Sequence, residues 1–493
     1  MKSSHLFLAI FFGLFGLNLE AENVSKQPYE VSINDKYFSI ESIDYFDVPI
    51  HTVQKINQTD KMNRIVVTAP ELIQKYQVSP RSKISKILVE GNKLSFNAQK
   101  SGYFVVKIND LEYLFVLIER GTIPVSLRSI RYIQDFGVEP NSSMSQTEKI
   151  QQAIDRASKL RNAVLYFPKG TYLSGQLNFK SNTHLYLEQG AVLKATLQPK
   201  DFKESFLRMD NVENISISGY GTIDGSGWNG LRKNGATGLY LIFMSKAKNV
   251  NVNGITLKDP CFWNTRVFQS SNVHLTNIKV YNNRPLLNFC NTDGIDFDSS
   301  ENCSVENGIL HTGDDNVVVK GLDNSGLYNT SNLLFKNIIG ISNSAAAKIG
   351  TETLVKKIDD IRFENMDVVQ CKRCLVIDGF DTSDIRNVYF KNFTVENVVK
   401  EGMETPRVID FEITNRSWRP CLGQCKISNV EVTNLNILTD VKTIQSQMVG
   451  QSEEFGIQNI RLRNIKVNGK LIGTLQDANI QTNSFVSRIK ISK

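Results

Sequence analysis

The sequence predicts an all-β chain: a single-stranded parallel β-helix preceded by a small β-sandwich. Three observations predict it. A unit of Asn, apolar, any, apolar, any, Asn or Gly recurs along the second half of the chain. From Asn253, its closing residue returns at intervals of 24, 30, 30, 28, 27, 42 and 30. Ahead of it, residues 29–125 break into short alternating strands separated by polar turns.

At 493 residues the chain is too long for one ordinary core, whereas repeat units escape that limit by packing only on their neighbours. Lys2, the apolar run Leu6 to Leu19 and the small Ala21 read as a signal peptide over 1–21. An N-terminal membrane anchor is the competing reading, but the run is short for a span. The mature chain is expected to be secreted or periplasmic, free of the membrane after cleavage, and monomeric. Its 41% hydrophobic and 22% charged residues exclude a disordered chain. A net charge of +7 suits an acidic polymer, and the absence of an arginine-rich stripe argues against nucleic acid.

The sandwich is placed at 22–125, with strands such as Lys93-Leu-Ser-Phe-Asn97 and Tyr103-Phe-Val-Val-Lys-Ile108, and a linker at Gly121–Val125. It holds no tight cluster of catalytic residue types. The β-helix is placed at 126–493, its core beginning near Ser129 and ending near Ile491. A helix over 147–160 caps its start: Ser145-Gln-Thr-Glu148 matches a capping box, and Ile150, Ile154 and Ala157 continue at helical spacing.

The repeats then follow, among them Asn272-Val-His-Leu-Thr-Asn277, Asn332-Leu-Leu-Phe-Lys-Asn337 and Asn429-Val-Glu-Val-Thr-Asn434. Each is a period-2 strand with one apolar face, which must stack on the next to bury it. The closing Asn suits a corner in the left-handed region, and asparagines on successive coils can pair their amides in a ladder. A leucine-rich repeat lacks its signature here, and a propeller lacks its hairpins. Of seven cysteines, the spacings Cys371-x-x-Cys374 and Cys421-x-x-x-Cys425 favour short-loop disulfides over a zinc site in an exported chain. Cys261, Cys290 and Cys303 read as buried thiols.

Two motifs carry chemistry: Asn291-Thr-Asp293-Gly-Ile-Asp296-Phe-Asp298 and Gly313-Asp314-Asp315-Asn-Val-Val-Val-Lys320. Asp293 and Asp314 are 21 residues apart, about one tight coil, and successive coils stack about 4.8 Å apart. Three carboxylates therefore fall in one patch, expected on an exposed face. Inverting glycoside hydrolysis needs such a patch: one carboxylic acid protonates the leaving oxygen, and another carboxylate activates water. A solvated acidic face and a calcium site are the competing readings.

Residues 130–480 resemble glycoside hydrolase family 28, the polygalacturonase family. The likeness rests on Asn291-Thr-Asp293-Gly, Gly313-Asp314-Asp315, Phe167-Pro-Lys-Gly170-Thr-Tyr and Gly221-Thr-Ile-Asp-Gly-Ser-Gly-Trp228. It implies a right-handed β-helix and an inverting hydrolase of a pectin-like polysaccharide, with no cofactor or metal. By position, Asp314 would be the general acid, and Asp293 and Asp315 would hold the attacking water. The family's Gly-His-Gly motif is here Ser344-Ala-Ala-Ala-Lys348, with Ala345 at the histidine position. The family's Arg-Ile-Lys motif is here Val376-Ile-Asp378. These departures suggest a site widened by alanines, in which Asp378 accepts from sugar hydroxyls and polygalacturonan is a poor substrate. Further substrate-binding candidates are Asn291, Lys348, Trp263 and His311. The alternatives are the same acid pair acting on a neutral or otherwise substituted α-linked sugar, a lyase on the same fold, and a non-enzymatic polysaccharide-binding β-helix.

Overall fold

The structure is a computed structural model, and it describes residues 28–43, 49–57, 62–98, 101–121, 130–282, 291–399, 405–415 and 421–493. The expected signal peptide, the linker residues 122–125, Ser129 and Cys290 lie outside the described residues. Residues 29–121 form two five-stranded sheets face to face. Between them lie Val31, Ile65, Phe96, Phe104 and Val116, all essentially inaccessible to solvent. Strand Leu114–Arg120 runs antiparallel to Gly102–Ile108 but parallel to Ile50–Asn57.

From Ile130 on, the chain winds as a right-handed parallel β-helix whose strands form one sheet of 19 and one of 11. Right-handed winding is what right-twisted strands joined by crossovers favour. Because coils stack in register, like residues form columns through the core. One column is Cys303, Leu333, Ile361, Val388, Val430 and Ile460. Another stacks Phe335, Phe363 and Phe390, with ring centroids 4.9 and 5.1 Å apart. Those separations match the coil spacing, so each ring fills the space above the last.

The corner residues behave as their type suggests. Asn277, Asn307, Asn337, Asn365, Asn392, Asn434 and Asn464 all have φ between 51° and 59°. Asn337 donates an amide N–H to Asn307, Asn365 to Asn337, Asn392 to Asn365, Asn434 to Asn392 and Asn464 to Asn434, at 2.7–2.9 Å. A second ladder runs along the strand starts, for example Asn249 to Asn214 at 3.2 Å and Asn459 to Asn429 at 3.1 Å.

The capping helix is shorter than its periodicity suggests, Thr147–Ala157, and its capping box does not form. Ser145 instead bonds Thr147 Oγ1, which also accepts from the backbone of Gly175 on the first coil. The helix start is thus held by tertiary contact. Ile150, Ala153, Ile154 and Ala157 close the end of the core. The short-loop disulfides are absent among the described residues, where Cys371, Cys374, Cys421 and Cys425 are buried thiols. Cys371 and Cys374 belong to the apolar core, where their thiols pack and hydrogen-bond. The Cys425 thiol bonds Thr353 Oγ1 at 3.3 Å.

The sandwich docks on the long sheet of the β-helix through a third apolar cluster. Phe115, Leu117, Val105 and Tyr103 meet Tyr281, Ile309, Ile339, Ile341 and Val369. Beside it, Lys279 and Glu119 form a buried ion pair at 2.6 Å. Glu396 accepts from Ser79 Oγ and from the backbone N–H of Arg81.

Replacing Asn434 separates the corner's two contributions. Asn434→Ala puts a Cβ-bearing apolar residue in the left-handed region, about 1–2 kcal/mol, and loses an amide bond, about 1 kcal/mol. Asn434→Gly is relieved of the first cost. Urea unfolding should show the alanine variant less stable than the glycine variant by about 1 kcal/mol.

Candidate active site

Two turns on adjacent coils carry the carboxylates. Asn291–Gly294 leads into strand Ile295–Asp298, and Gly313–Asn316 joins strand Glu301–Thr312 to Val317–Gly321. The turns bond directly, Gly294 N to Asp315 O at 2.8 Å and Ile295 N to Asn316 O at 3.0 Å. A Cβ on residue 294 would stand 2.3 Å from Asn316 O, so only glycine can follow Asp293 at this approach.

Buried amides and hydroxyls fix the turn backbones. Asn282 Nδ2 donates to the carbonyls of Thr292 and Asp293, at 2.7 and 2.9 Å, and its own Oδ1 accepts from Asn264. Thr312 and Ser342 hydroxyls donate to the Asp314 carbonyl. Asn316 Nδ2 reaches Thr312 Oγ1 at 2.8 Å and the Ile341 carbonyl at 3.0 Å. The carboxylates therefore project from a rigid frame, as a site that must hold water and proton donor in place requires.

Asp293, Asp314 and Asp315 lie outside the apolar core of the coil, but each is only 2–3% accessible. The expected exposed patch is in fact a buried one. Asp314 Oδ1 accepts from the backbone N–H of Asp315 at 2.9 Å. Asp315 accepts from the Ala345 N–H at 2.8 Å and from Lys348 Nζ at 2.7 Å. Asp293 Oδ2 stands 3.9 Å from Lys320 Nζ, and its Oδ1 has no hydrogen-bond partner among the described residues.

These surroundings drive the carboxyls apart. Burial would raise Asp315, but the Lys348 charge and hydrogen bond outweigh it and hold the group below the usual range. Asp293 is raised well above that range, by burial first and then by repulsion from Asp296. Asp296 is itself pushed up to about 8 by burial, with Lys320 opposing. Asp293 and Asp296 thus keep a proton between them at neutral pH, while Asp315 is ionised.

Lys320 ties one side of the site together. Its Nζ lies 3.0 Å from Glu352, 3.7 Å from Asp296 and 4.2 Å from the centre of the Trp263 ring. Trp263 stacks on Phe262 with centroids 5.2 Å apart. Burial would raise Glu352, yet Lys320 brings it down to about 2. On the other side Lys348 lies 3.9 Å from Asp378, which bonds Arg373 at 2.5 Å. Arg373 also reaches Asp410 at 3.0 Å.

Of the residues the sequence singled out, Lys348, Asp378 and Trp263 do join the site. Asn291 takes the left-handed conformation, φ 47°, at the head of its turn. His311 does not line the site. Its ring packs edge-on against Phe115 and Tyr113 of the sandwich, at 5.6 and 6.1 Å, because its strand enters the domain interface there. The three alanines do not widen the cleft either. Ala346 and Ala347 belong to the coil core, and all three are fully buried. Nor does Asp378 stand as a free acceptor. Val376 pairs with Lys348 in the ladder, so the adjacent coil supplies a cation at that register, and Arg373 neutralises Asp378.

Sequence reasoning missed Asp296 and Lys320 as site members, and Asn264, Asn282 and Asn316 as its frame. The first two were inside the quoted motifs. Their signal was the alternation Ile295-Asp296-Phe297-Asp298, which turns both aspartates away from the core.

Residues 158–492 match the family model for glycosyl hydrolases family 28. The chain belongs to that family. It is similar to a probable polygalacturonase of Vitis vinifera, 27% identical over 55% of this chain and 60% of that protein, so it spans less than two thirds of that relative's length. A polygalacturonase of Gossypium barbadense is 25% identical, over 65% of this chain and 79% of that one. The family 28 exopolygalacturonase of Yersinia enterocolitica shares the fold with a TM-score of 0.55, at 16% identity, over 92% of this chain and 98% of that one.

Removing the Lys348 charge should release Asp315 upwards. A paired cation lowers a carboxyl by about 1–3 pH units. Below the Asp315 pKa the carboxylate is protonated and cannot take a proton from water. Lys348→Met should therefore move the acidic limb of the kcat/KM profile to higher pH. Rates measured from pH 3 to 9 check this, with circular dichroism confirming the fold.

Proposed function

We propose that this family 28 enzyme hydrolyses glycosidic bonds of a uronate-containing pectic polysaccharide with inversion at the anomeric carbon. The single observation that carries the reading is the pair of opposed carboxyl environments on stacked turns. Asp315, held ionised by Lys348, suits the base role, and the acid role of Asp314 follows from its place in the family motif. In this mechanism Asp314 delivers its proton to the leaving oxygen. Asp315, ionised by Lys348, accepts a proton from the attacking water, and Asp293 fixes that water. The relatives named polygalacturonases support the pectic substrate.

The geometry weakens one ground for expecting polygalacturonan to be poor. That expectation rested on Val376 and Asp378 standing where two cations belong. Lys320, Lys348 and Arg373 instead gather on neighbouring coils around the carboxylates. Cations in a site shielded from water strengthen attraction for an anionic sugar.

The decisive assay is hydrolysis of polygalacturonate beside neutral galactan, with the product anomer followed by proton NMR. The expected outcome is preferential release of reducing ends from polygalacturonate with inverted configuration. Retained configuration would remove the water-activating role of Asp315, and cleavage of galactan alone would return the substrate to a neutral sugar. Asp314→Asn should lower kcat by about 10²–10⁴, since an amide cannot donate the proton. Its unfolding midpoint should remain close to that of the parent.

A further inference from the structure

A cavity of about 450 Å³ lies between the sandwich and the β-helix, away from the carboxylates. Its floor is the corner ladder, Asn277, Asn307 and Asn337 on three successive coils, and its walls include Tyr103 and Arg120 of the sandwich. Asn307 and Asp314 are seven residues apart on one extended strand and turn, on the order of 20 Å of chain. The volume is that of a small-ligand site.

The charges lining the cavity do not cancel. Glu119 faces it, but its carboxylate is committed to Lys279 at 2.6 Å and to the Tyr103 hydroxyl at 3.1 Å. Lys83 at the rim is paired with Asp367 at 2.9 Å. Arg120 is exposed and makes no ion pair among the described residues; its backbone pairs with Asn57 in the sheet and its carbonyl accepts from Tyr220. One guanidinium is thus left to face an anion. A planar guanidinium fits a carboxylate with two parallel hydrogen bonds.

The floor adds a row of donors. Asn277 and Asn337 each spend one amide N–H on the ladder, at 2.9 Å, and an amide carries two. Repeated at each coil, these donors match a ligand that presents oxygen acceptors along its length.

We propose that this cavity is a second, non-catalytic binding site for an acidic oligosaccharide, a uronate carboxylate pairing with Arg120 and sugar oxygens accepting from Asn277, Asn307 and Asn337. The ligand class rests on the pectic reading of the active site. Bound there, a product or neighbouring stretch of polymer is held at the domain junction while the carboxylates act elsewhere.

Isothermal titration calorimetry with trigalacturonate tests this. The full chain carrying Asp314→Asn is used so that the probe is not cut. Two binding events per chain are expected, and Arg120→Gln in that background should weaken one of them at least tenfold. In the parent background, Arg120→Gln should leave kcat for the trimer unchanged. Asn307→Gly, which keeps the corner conformation, should weaken the same event if Arg120→Gln proves unstable. A single event insensitive to both substitutions overturns the proposal. So does equal binding of a neutral galactose trimer at the second site, or competition there by inorganic sulfate alone. If the parent does not cleave polygalacturonate yet the Arg120-dependent event persists, the catalytic reading fails and the second site stands.

Discussion

The stacking of coils in fixed register is the constraint on which the rest of this molecule depends, and the asparagine corners hold it. Each corner requires a backbone conformation that most residues resist, and at most of them an amide bond to the coil before it offsets that cost. A slip of one residue in any strand would turn the aromatic column outward and the carboxylates inward, because side chains alternate faces. The ladder therefore does more than decorate the edge. It sets which residues of successive coils meet, and so places Asp293 beside the turn of Asp314 and Asp315.

Register alone brings several acids together, which by itself would repel. Lys320 and Lys348 make the gathering tolerable. Both are buried, and each contacts more than one carboxylate. Burial makes an unpaired charge costly and a paired one strong. The two lysines divide the acids unequally, since Lys348 holds Asp315 at 2.7 Å while Lys320 stays 3.9 Å from Asp293. That inequality separates an ionised carboxylate from protonated neighbours without any change of residue type.

The sandwich contributes to the same frame from outside. By covering His311 and Tyr281 it converts the outer face of four coils into a second core. The strand ending at Thr312 is then packed on both faces just before it turns into Asp314. A turn that starts from such a strand has little freedom to drift, as the proposed chemistry would need.

Much of this was legible in residue order. The Asn-bounded repeat declares the β-helix, because a corner that favours Asn and a period-2 apolar face have no other common solution at that spacing. The one-coil separation of Asp293 and Asp314 declares the carboxylate patch, since coil length converts sequence distance into contact. Local patterns were less dependable. Ser145 and Glu148 have the form of a capping box, yet Thr147 bonds the first coil instead. Cys371 and Cys374 have disulfide spacing, yet both thiols lie in the apolar core. What only the tertiary structure decided is which charge stands next to which. Val376 and Asp378 look like the loss of a cationic site when one strand is read alone, but Lys348 and Arg373 reach the same place from other positions. Long side chains cross between coils, and burial sets the strength of each pairing; neither quantity is written in a single strand. Residue order determined the fold and the carboxylate patch, and packing determined which cation stands beside which carboxylate.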